Sequence, residues 1–182
     1  MLVALGSNLP EPQGSPAANL VRALSELRAE GLNVCAVSRF FETPCFPAGA
    51  GPDYINAAVR LCSDLDACAV LEKMHRIEAR MGRQRQTRWG MRTLDLDLIA
   101  IADRVLPDLD TYRHWRALHP QEQRLRAPDE LVLPHPRLEE RAFVLVPLAD
   151  IAPDWHHPVS GVTVTDMLAA LPRDIRQAVR PI

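Results

Sequence analysis

Along the first hundred residues, short segments with the hydrophobic period of a strand are interspersed with segments that have the period of a helix. Their order restricts the folds that the chain can adopt. Four segments carry apolar residues at alternate positions or in a short run, which is typical of strands, and two carry them every three to four positions, which is typical of helices. In order they are Leu2–Leu5, a helix from Ser15, Asn33–Thr43, Tyr54–Cys62, a helix from Asp66, and Leu94–Ile101. The sequence therefore predicts the element order β-α-β-β-α-β.

Both predicted helices carry signals at their ends. Ser15 and Asp66 offer N-cap side chains, and Pro16 occupies the first helical position of the earlier helix. Gly31 and Gly82 follow the last apolar positions, where glycine commonly ends a helix. These signals predict two helices that pack on one face of a sheet.

The element order predicts an α+β fold: a ferredoxin-like βαββαβ core with an antiparallel sheet and helices, followed by a C-terminal extension. The length fits a single domain over residues 1–182. Within the extension we expect a long loop insertion over residues 103–130, an extra strand at Val144–Leu148 and a short helix at Thr165–Leu171.

Charge, hydropathy and cysteine usage narrow the class of protein. The formal net charge of −2 argues against nucleic-acid binding, and no apolar run approaches the roughly 20 residues that span a membrane. No signal-peptide pattern is visible, so we expect a cytoplasmic protein, and we expect a monomer. The spacing of the cysteines predicts small buried side chains, with neither zinc nor a disulfide; they are Cys35, Cys45, Cys62 and Cys68.

Two aspartates one residue apart, Asp95 and Asp97, lie on the last strand of the predicted core. Strand alternation puts both side chains on one face. Paired carboxylates repel each other, and a hard cation such as Mg²⁺ relieves that repulsion. The alternative is two solvated aspartates on an exposed sheet face. Because the same face continues as Ile99 and Ile101, we favour the metal site.

An arginine-rich segment precedes the two aspartates. Lys73 is the only lysine, and six arginines fall between Arg76 and Arg92. Guanidinium groups bind phosphate oxygens in bidentate fashion, although such a segment can also be a basic surface loop. Gly6 begins a glycine turn after the first strand, but no Walker A motif occurs. The sequence therefore predicts a magnesium–polyphosphate site in which side chains and metal hold the phosphates.

Four further polar residues are candidates for ligand contact. His75 and Glu78 lie three apart on the second helix, so they share a neighbouring face. His135 lies within a Pro-His-Pro turn, and Arg141 follows it. The alternatives are an exposed polar helix face for the first pair and a structural hydrogen bond for His135.

Together these segments resemble the 6-hydroxymethyl-7,8-dihydropterin pyrophosphokinases of the folate pathway. The run Arg-Trp-Gly-Met-Arg-Thr-Leu-Asp-Leu-Asp, residues 88–97, is the most distinctive block. Other matching blocks occur in order at residues 4–9, 42–44, 52–59, 76–78, 82–83, 133–136 and 141–145. The resemblance implies a ferredoxin-like domain that transfers pyrophosphate from ATP to the pterin hydroxymethyl group and releases AMP.

The resemblance also implies a role for each matching residue. Asp95 and Asp97 would bind two Mg²⁺ ions, and Arg83 and Arg92 would neutralise charge on the transferring group, which makes these four the catalytic residues. The implied pterin-binding residues are Thr43, Pro44, Tyr54, Asn56, Trp89 and Phe143. The implied ATP-binding residues are His75, Glu78, Arg83, Arg92, Leu98, His135 and Arg141. ATP and the pterin would be the only partners.

Two other functions are compatible with parts of the pattern. A nucleotidyltransferase can combine a glycine turn with a D-x-D strand, but it would release pyrophosphate in place of AMP. A non-catalytic ferredoxin-like ligand-binding module would need no Mg²⁺, and its aspartates should tolerate replacement by asparagine. The stretch between Asp97 and His135 is longer than in compact members of the family.

Overall fold

The computed structural model describes residues 1–9, 14–45, 51–82, 93–119, 122 and 126–182. In this part of the chain a six-stranded sheet has the order β5-β1-β4-β3-β6, and β2 also pairs with β4. Every pairing is antiparallel. The strands are β1 (Leu2–Ser7), β2 (Asn33–Val37), β3 (Phe41–Thr43), β4 (Tyr54–Cys62), β5 (Asp95–Ala100) and β6 (Arg180–Pro181). The predicted antiparallel α+β core is confirmed.

The two N-terminal helices begin and end where the sequence predicts. They are α1 (Pro16–Ala29) and α2 (Ala67–Arg80). Ser15 accepts a hydrogen bond from the Ala18 amide, and Asp66 accepts one from the Ala69 amide, at 3.2 and 2.8 Å. Gly31 and Gly82 follow with φ of 78° and 77°, which favours glycine there.

The sheet has a buried core on each face. On one face, α1 and α2 cover the inward side chains of β1, β4 and β5. On the other, the C-terminal helices α4 (Ala142–Ile151) and α5 (Val164–Ala170) cover the alternate positions. A short helix, α6 (Arg173–Gln177), precedes β6. Asp95 and Asp97 belong to the face under α4, because Ile99 of the same alternation packs in that core.

The predicted strand Asn33–Thr43 is two strands, because the chain turns aside at Ser38. The Ser38 hydroxyl accepts from the Ala58 amide at 2.9 Å and donates to the Arg39 carbonyl at 2.7 Å. Arg39 then binds Asp150 of α4 through its amide and its guanidinium group. As a result β2 pairs with the end of β4 and β3 with its beginning.

The predicted strand at Val144–Leu148 is wrong, since these residues lie within α4. The run has no polar positions that would distinguish a helical period from a strand period, and its valines favoured the strand. The segment is buried between the sheet and α5, so most of its sides meet apolar neighbours. The predicted helix at Thr165–Leu171 is confirmed as α5.

The predicted loop insertion 103–130 contains a helix, α3 (Leu109–Ala117). Asp108 caps it by accepting the Thr111 amide at 2.8 Å. Only Tyr112 of this helix is buried, so the apolar periodicity is too weak to identify from the sequence. Among the described residues, no helix has the length and apolar character needed to cross a membrane.

The prediction for the cysteines is wrong in two respects. Cys35 of β2 and Cys62 of β4 form a disulfide with a Cα–Cα distance of 5.9 Å. Cys68 is exposed and Cys45 is half-buried. Cys35 and Cys62 are 27 residues apart, and only the pairing of β2 with β4 brings them together.

Candidate active site

One row of residues crosses the sheet face that carries the aspartates. Gly6 of β1 pairs with Asp95 of β5 on one side and with Asn56 of β4 on the other, and Asn56 pairs with Phe41 of β3. Directly opposed residues of an antiparallel pair point to the same face. Asp95 and Asn56 therefore stand on either side of Gly6, whose missing side chain lets the Asn56 amide oxygen lie 3.0 Å from where a Cβ atom would be.

The acid pair is tied to the opposite layer of the molecule by Glu78. This residue of α2 is 1% exposed, and its Oε1 accepts the Leu96 amide at 2.8 Å. Leu96 lies between Asp95 and Asp97, so the hydrogen bond fixes the backbone from which both carboxylates project. Burial leaves Glu78 little surface for ATP, and its predicted ATP contact stays a prediction.

Arg141 and His135 flank the carboxylates. The Arg141 Nη1 atom lies 3.6 Å from Asp97 Oδ2, and burial lowers the pKa of Arg141 although Asp97 opposes this. His135 donates its amide to the Ile99 carbonyl at 2.8 Å and accepts the Arg137 amide at Nδ1, at 3.0 Å. Burial, followed by the charge of Arg141, holds the pKa of His135 well below 6.5. The ring is therefore neutral with its proton on Nε2.

On the other side of Gly6, Asn56 and Thr43 form a buried polar pair. The Asn56 amide nitrogen donates to Thr43 Oγ1 at 2.6 Å, and both residues are buried. Tyr54 lies two residues before Asn56 on the same face and is half-buried. Phe143 in the first turn of α4 is 41% exposed, and Arg141 lies over its ring at 5.7 Å. The exposed Phe143 ring leaves a face for stacking.

Several predicted site residues lie away from the aspartates or outside the part of the chain that the structure describes. Arg83, Trp89 and Arg92 fall in residues 83–92, outside the described part. Leu98 is 4% exposed in the core under α1 and α2, so its side chain lies on the face opposite the aspartates, and its predicted ATP contact stays a prediction. His75 is exposed on α2, and Pro44 is exposed after β3.

Two arginines of the predicted cluster serve a structural purpose. Arg76 binds Glu30 at 3.0 Å, and Arg80 binds Glu30 at 2.7 Å and Glu26 at 3.0 Å. Glu26 lies in the last turn of α1, and Glu30 directly follows that helix. These ion pairs join the two helices and do not contribute to the acid pair on the other sheet face.

A family model for 7,8-dihydro-6-hydroxymethylpterin-pyrophosphokinase (HPPK) matches residues 2–153, which include all the elements of this site. The chain belongs to the HPPK family. It is accordingly an ATP-dependent pyrophosphokinase of folate biosynthesis.

Bacterial relatives of the HPPK family align with nearly the whole chain. The 2-amino-4-hydroxy-6-hydroxymethyldihydropteridine pyrophosphokinase of Synechocystis sp. is 38% identical over 92% of this chain and 73% of its own length. Proteins of the same name from Methylorubrum extorquens and Pseudomonas aeruginosa are 37% and 36% identical, each over 93% of this chain and 91% and 90% of their own.

Solved structures of longer HPPK-containing chains share the fold. Plasmodium falciparum HPPK-DHPS with pteroate matches 100% of this chain with a TM-score of 0.69 at 14% identity. An HPPK-DHPS in complex with substrates matches 99% with a TM-score of 0.66 at 11% identity. The chain spans only 45% and 46% of those chains, so the likeness supports the fold alone.

The donor atoms of this HPPK site suit a hard cation. Asp95 and Asp97 offer carboxylate oxygens on one face, and the Asp97 side chain is 41% exposed. The described residues contain no group of three or more His, Cys, Asp or Glu side chains that could enclose a metal. Mg²⁺ typically binds one or two carboxylates and completes its coordination with water and phosphate oxygens. Two carboxylates beside a nucleotide fit that preference.

Sequence reasoning missed a buried amide that fixes the end of β1 to the start of β5. Asn19 of α1 is 2% exposed, and its Nδ2 donates to Ser7 Oγ, the Leu9 carbonyl and the Thr93 carbonyl, at 3.1, 2.8 and 3.1 Å. Thr93 lies two residues before Asp95. The signal was present in the sequence, since Asn19 shares the helical stripe of Ala23 and Leu27.

Proposed function

We propose that this chain transfers the β,γ-pyrophosphoryl group of ATP to the hydroxymethyl oxygen of 6-hydroxymethyl-7,8-dihydropterin and releases AMP. The observation that carries the proposal is the row Asp95–Gly6–Asn56, with a carboxylate at one end and a buried amide at the other. A metal-bound polyphosphate at the first end and a flat heterocycle at the second would meet above Gly6. Family membership supports both substrates.

The pterin would lie at the Asn56 end. A Cβ atom on Gly6 would be 3.0 Å from Asn56 Oδ1 and 3.8 Å from Tyr54 Cδ1, so both groups border the space above Gly6. The Asn56 amide is oriented by Thr43 and can accept a hydrogen bond from a ring N–H. Tyr54 and the exposed ring of Phe143 offer aromatic faces for the pterin, and Pro44 would border the pocket beside them.

ATP would lie at the carboxylate end. Asp95 and Asp97 would hold two Mg²⁺ ions, which supply charge neutralisation at the triphosphate and a lowered pKa at the attacking hydroxyl. Arg141 beside Asp97 is a fixed positive charge for phosphate oxygens. His135, with its proton on Nε2, would donate a hydrogen bond on the same side. Oriented groups of this kind suit pyrophosphoryl transfer, which depends on positioning and charge compensation.

Three residues in the segment 83–92 complete the proposal. Arg83 and Arg92 would neutralise charge on the transferring group, and Trp89 would help to exclude water above the pterin. Glu78 acts through the backbone of Leu96. His75 is a proposed contact of the ATP side at the edge of the site.

The decisive experiment separates the nucleotide products by chromatography after incubation with ATP, Mg²⁺ and the reduced pterin alcohol. AMP should appear in proportion to pyrophosphorylated pterin, and omission of the pterin should abolish it. ADP as the product would exclude pyrophosphoryl transfer, and free pyrophosphate would indicate a nucleotidyltransferase. No turnover with retained binding would indicate a non-catalytic module. Light scattering of the same sample tests the expected monomer.

A further inference from the structure

The chain segment that carries His135 and Arg141 is held by the insertion at its beginning. Leu106 and Leu133 exchange two backbone hydrogen bonds, from the Leu106 amide at 2.9 Å and from the Leu133 amide at 3.0 Å. Leu133 is fully buried, and His135 follows two residues later. The start of the insertion is therefore joined to Leu133 by an antiparallel bridge, two residues before His135.

Helix α3 of the insertion holds the same segment near its other end. Glu139, two residues before Arg141, receives a hydrogen bond from the Arg116 guanidinium group on one carboxylate oxygen. Its other oxygen accepts the Ser160 hydroxyl at 3.2 Å. Glu139 lies in a 3₁₀-helix, Leu138–Glu140, which leads directly into Arg141 and α4. Both oxygens of Glu139 thus connect the segment to neighbouring elements.

A buried hydrogen bond attaches α3 to the C-terminal extension. Tyr112, one helical turn before Arg116, is 1% exposed, and its hydroxyl lies 2.8 Å from His157 Nε2. His157 is also 1% exposed, and its Nδ1 accepts the amides of Val159 and Ser160 at 3.2 and 3.4 Å. Because Nδ1 accepts, the neutral ring carries its proton on Nε2 and donates to Tyr112.

The same extension contacts the residue that directly precedes the insertion. The Trp155 indole Nε1 donates to the Ala102 carbonyl at 2.9 Å. The loop 155–163 thus contacts Ala102, directly before the insertion, and Tyr112, within α3. These contacts hold α3 and the residue that precedes the insertion, and Arg116 of the same helix reaches Glu139.

From these contacts we propose that α3 is a brace that positions His135 and Arg141, with Tyr112 and Arg116 as its positioning residues. The inference rests on the proposed function, in which His135 and Arg141 line the ATP side. The proposed site places neither Tyr112 nor Arg116 in contact with a substrate. They act by restricting residues 133–141, so their loss should affect ATP binding and leave the Thr43–Asn56 end of the site unchanged.

The expected effects are moderate because each contact is replaceable. Arg116 and Glu139 are 46% and 29% exposed, and an ion pair of that exposure changes an equilibrium by at most about fivefold. A buried hydrogen bond such as Tyr112–His157 contributes roughly tenfold. Arg116→Ala or Tyr112→Phe should each raise the KM for ATP by roughly threefold, and the double variant by roughly tenfold. The KM for the pterin should stay within about twofold.

Arg113→Ala is the matched control. Arg113 lies on the same helix and is 63% exposed, and among the described residues its one ion pair is with Asp110 of its own helix, at 3.9 Å. It should leave both KM values unchanged. A charge exchange adds a rescue test: Arg116→Glu should weaken ATP binding, and the additional change Glu139→Arg should restore it. The Kd of a non-hydrolysable ATP analogue, measured by calorimetry with Mg²⁺, gives a readout independent of turnover.

Three outcomes would overturn the brace. Variants that lose stability in urea but keep the ATP KM of the Arg113→Ala control would make α3 merely structural. An equal rise in both KM values would indicate general loosening. A charge exchange without rescue would exclude the Arg116–Glu139 contact. A wild-type chain that forms no AMP would refute the proposed function separately, because the Kd of the ATP analogue would still test the brace.

Discussion

Gly6 is the residue at which the absence of a side chain matters most. It lies between Asp95 and Asn56 in the register of β5, β1 and β4. Its φ is not positive, so backbone freedom is not the reason for glycine at this position. The reason is space, because the nearest atom to an added Cβ would be Asn56 Oδ1 at 3.0 Å. A larger residue would displace the amide that is proposed to bind the pterin.

The first prediction concerns this space. Gly6→Ala should raise the KM for the pterin by roughly tenfold, the cost of about one hydrogen bond, and change the KM for ATP little. Steady-state kinetics with each substrate varied in turn measures the two KM values separately. Gly14→Ala is the matched control, since among the described residues its Cβ would meet Ala18 Cβ alone, at 3.4 Å. A Gly6→Ala variant with an unchanged pterin KM would show that Gly6 does not border the ring.

Asp97 carries the second prediction at this scale. Asp97→Asn keeps the shape of the side chain but removes a charge proposed to hold Mg²⁺, so kcat should fall by roughly 10²–10³-fold. The midpoint of urea unfolding should change little, because Asp97 is 41% exposed and its nearest described cation is Arg141 at 3.6 Å.

The exposed Asp103 gives a control for the loss of one carboxylate, and Asp103→Asn should keep full turnover. Near-normal turnover of Asp97→Asn would contradict the metal assignment and favour the non-catalytic module.

At the scale of elements, the contact between α2 and β5 determines the position of the acid pair. Glu78 crosses from the helix layer to the Leu96 amide and is buried there. From the sequence it was a candidate for ATP, because it lies on the helix that precedes the arginine segment. The sequence shows that Glu78 is three residues from His75, but not that β5 passes beneath it.

The third prediction follows from this contact. Glu78→Ala should leave the Leu96 amide without that acceptor, lower the free energy of unfolding by about 1–3 kcal/mol and reduce turnover through displacement of Asp95 and Asp97. Glu78→Gln should recover part of the stability and part of the turnover, since an amide oxygen can accept the same hydrogen bond. Urea unfolding and AMP formation measure the two effects. The exposed Glu72 of the same helix is the control, and a Glu78→Ala variant with normal turnover would exclude the positioning effect.

Elements with local signals could be predicted from the sequence. Caps at Ser15 and Asp66 and glycines after each helix defined α1 and α2, and alternation defined β4 and β5. The helix α4 could not be predicted, because a continuous apolar run has no period to measure. The helix α3 was missed because it buries only Tyr112, which leaves too few apolar positions to show a period. The paired aspartates were predictable from spacing; Gly6 between Asp95 and Asn56 required the register.

At the scale of the whole molecule, both faces of the sheet are covered and the site occupies the part of one face beyond α4. That arrangement buries polar groups that hold distant segments together. The backbone amide of His135 joins residues 133–137 to β5 while its ring stabilises the local turn to Arg137, and the His157 ring joins the C-terminal loop to α3. Both imidazoles accept backbone amides at Nδ1, so protonation would remove an acceptor in each place. The contact of the C-terminal loop with α3 and the turn at residues 135–137 therefore each depend on a neutral histidine.

The fourth prediction is a loss of stability as the pH falls from 7 to 5. Burial lowers the pKa of His135 and of His157 below 6.5 in the folded chain. Below that pH the unfolded chain binds protons that the folded chain does not, so the free energy of unfolding decreases as the pH falls. Each histidine contributes a slope of up to about 1.4 kcal/mol per pH unit.

A paired carboxylate affects the free energy of unfolding in a lower pH range than the two histidines, so the two contributions can be separated. Hydrogen bonds from Arg39 lower the pKa of Asp150 below 3.8, so its contribution is lost only as the pH falls further, below about 4. Urea unfolding at a series of pH values should show a smaller slope between pH 7 and 5 in His157→Gln than in the wild type. The exposed His114→Gln should keep the full slope. An unchanged slope in His157→Gln would mean that this histidine takes up its proton equally in both states, which its burial against Tyr112 opposes.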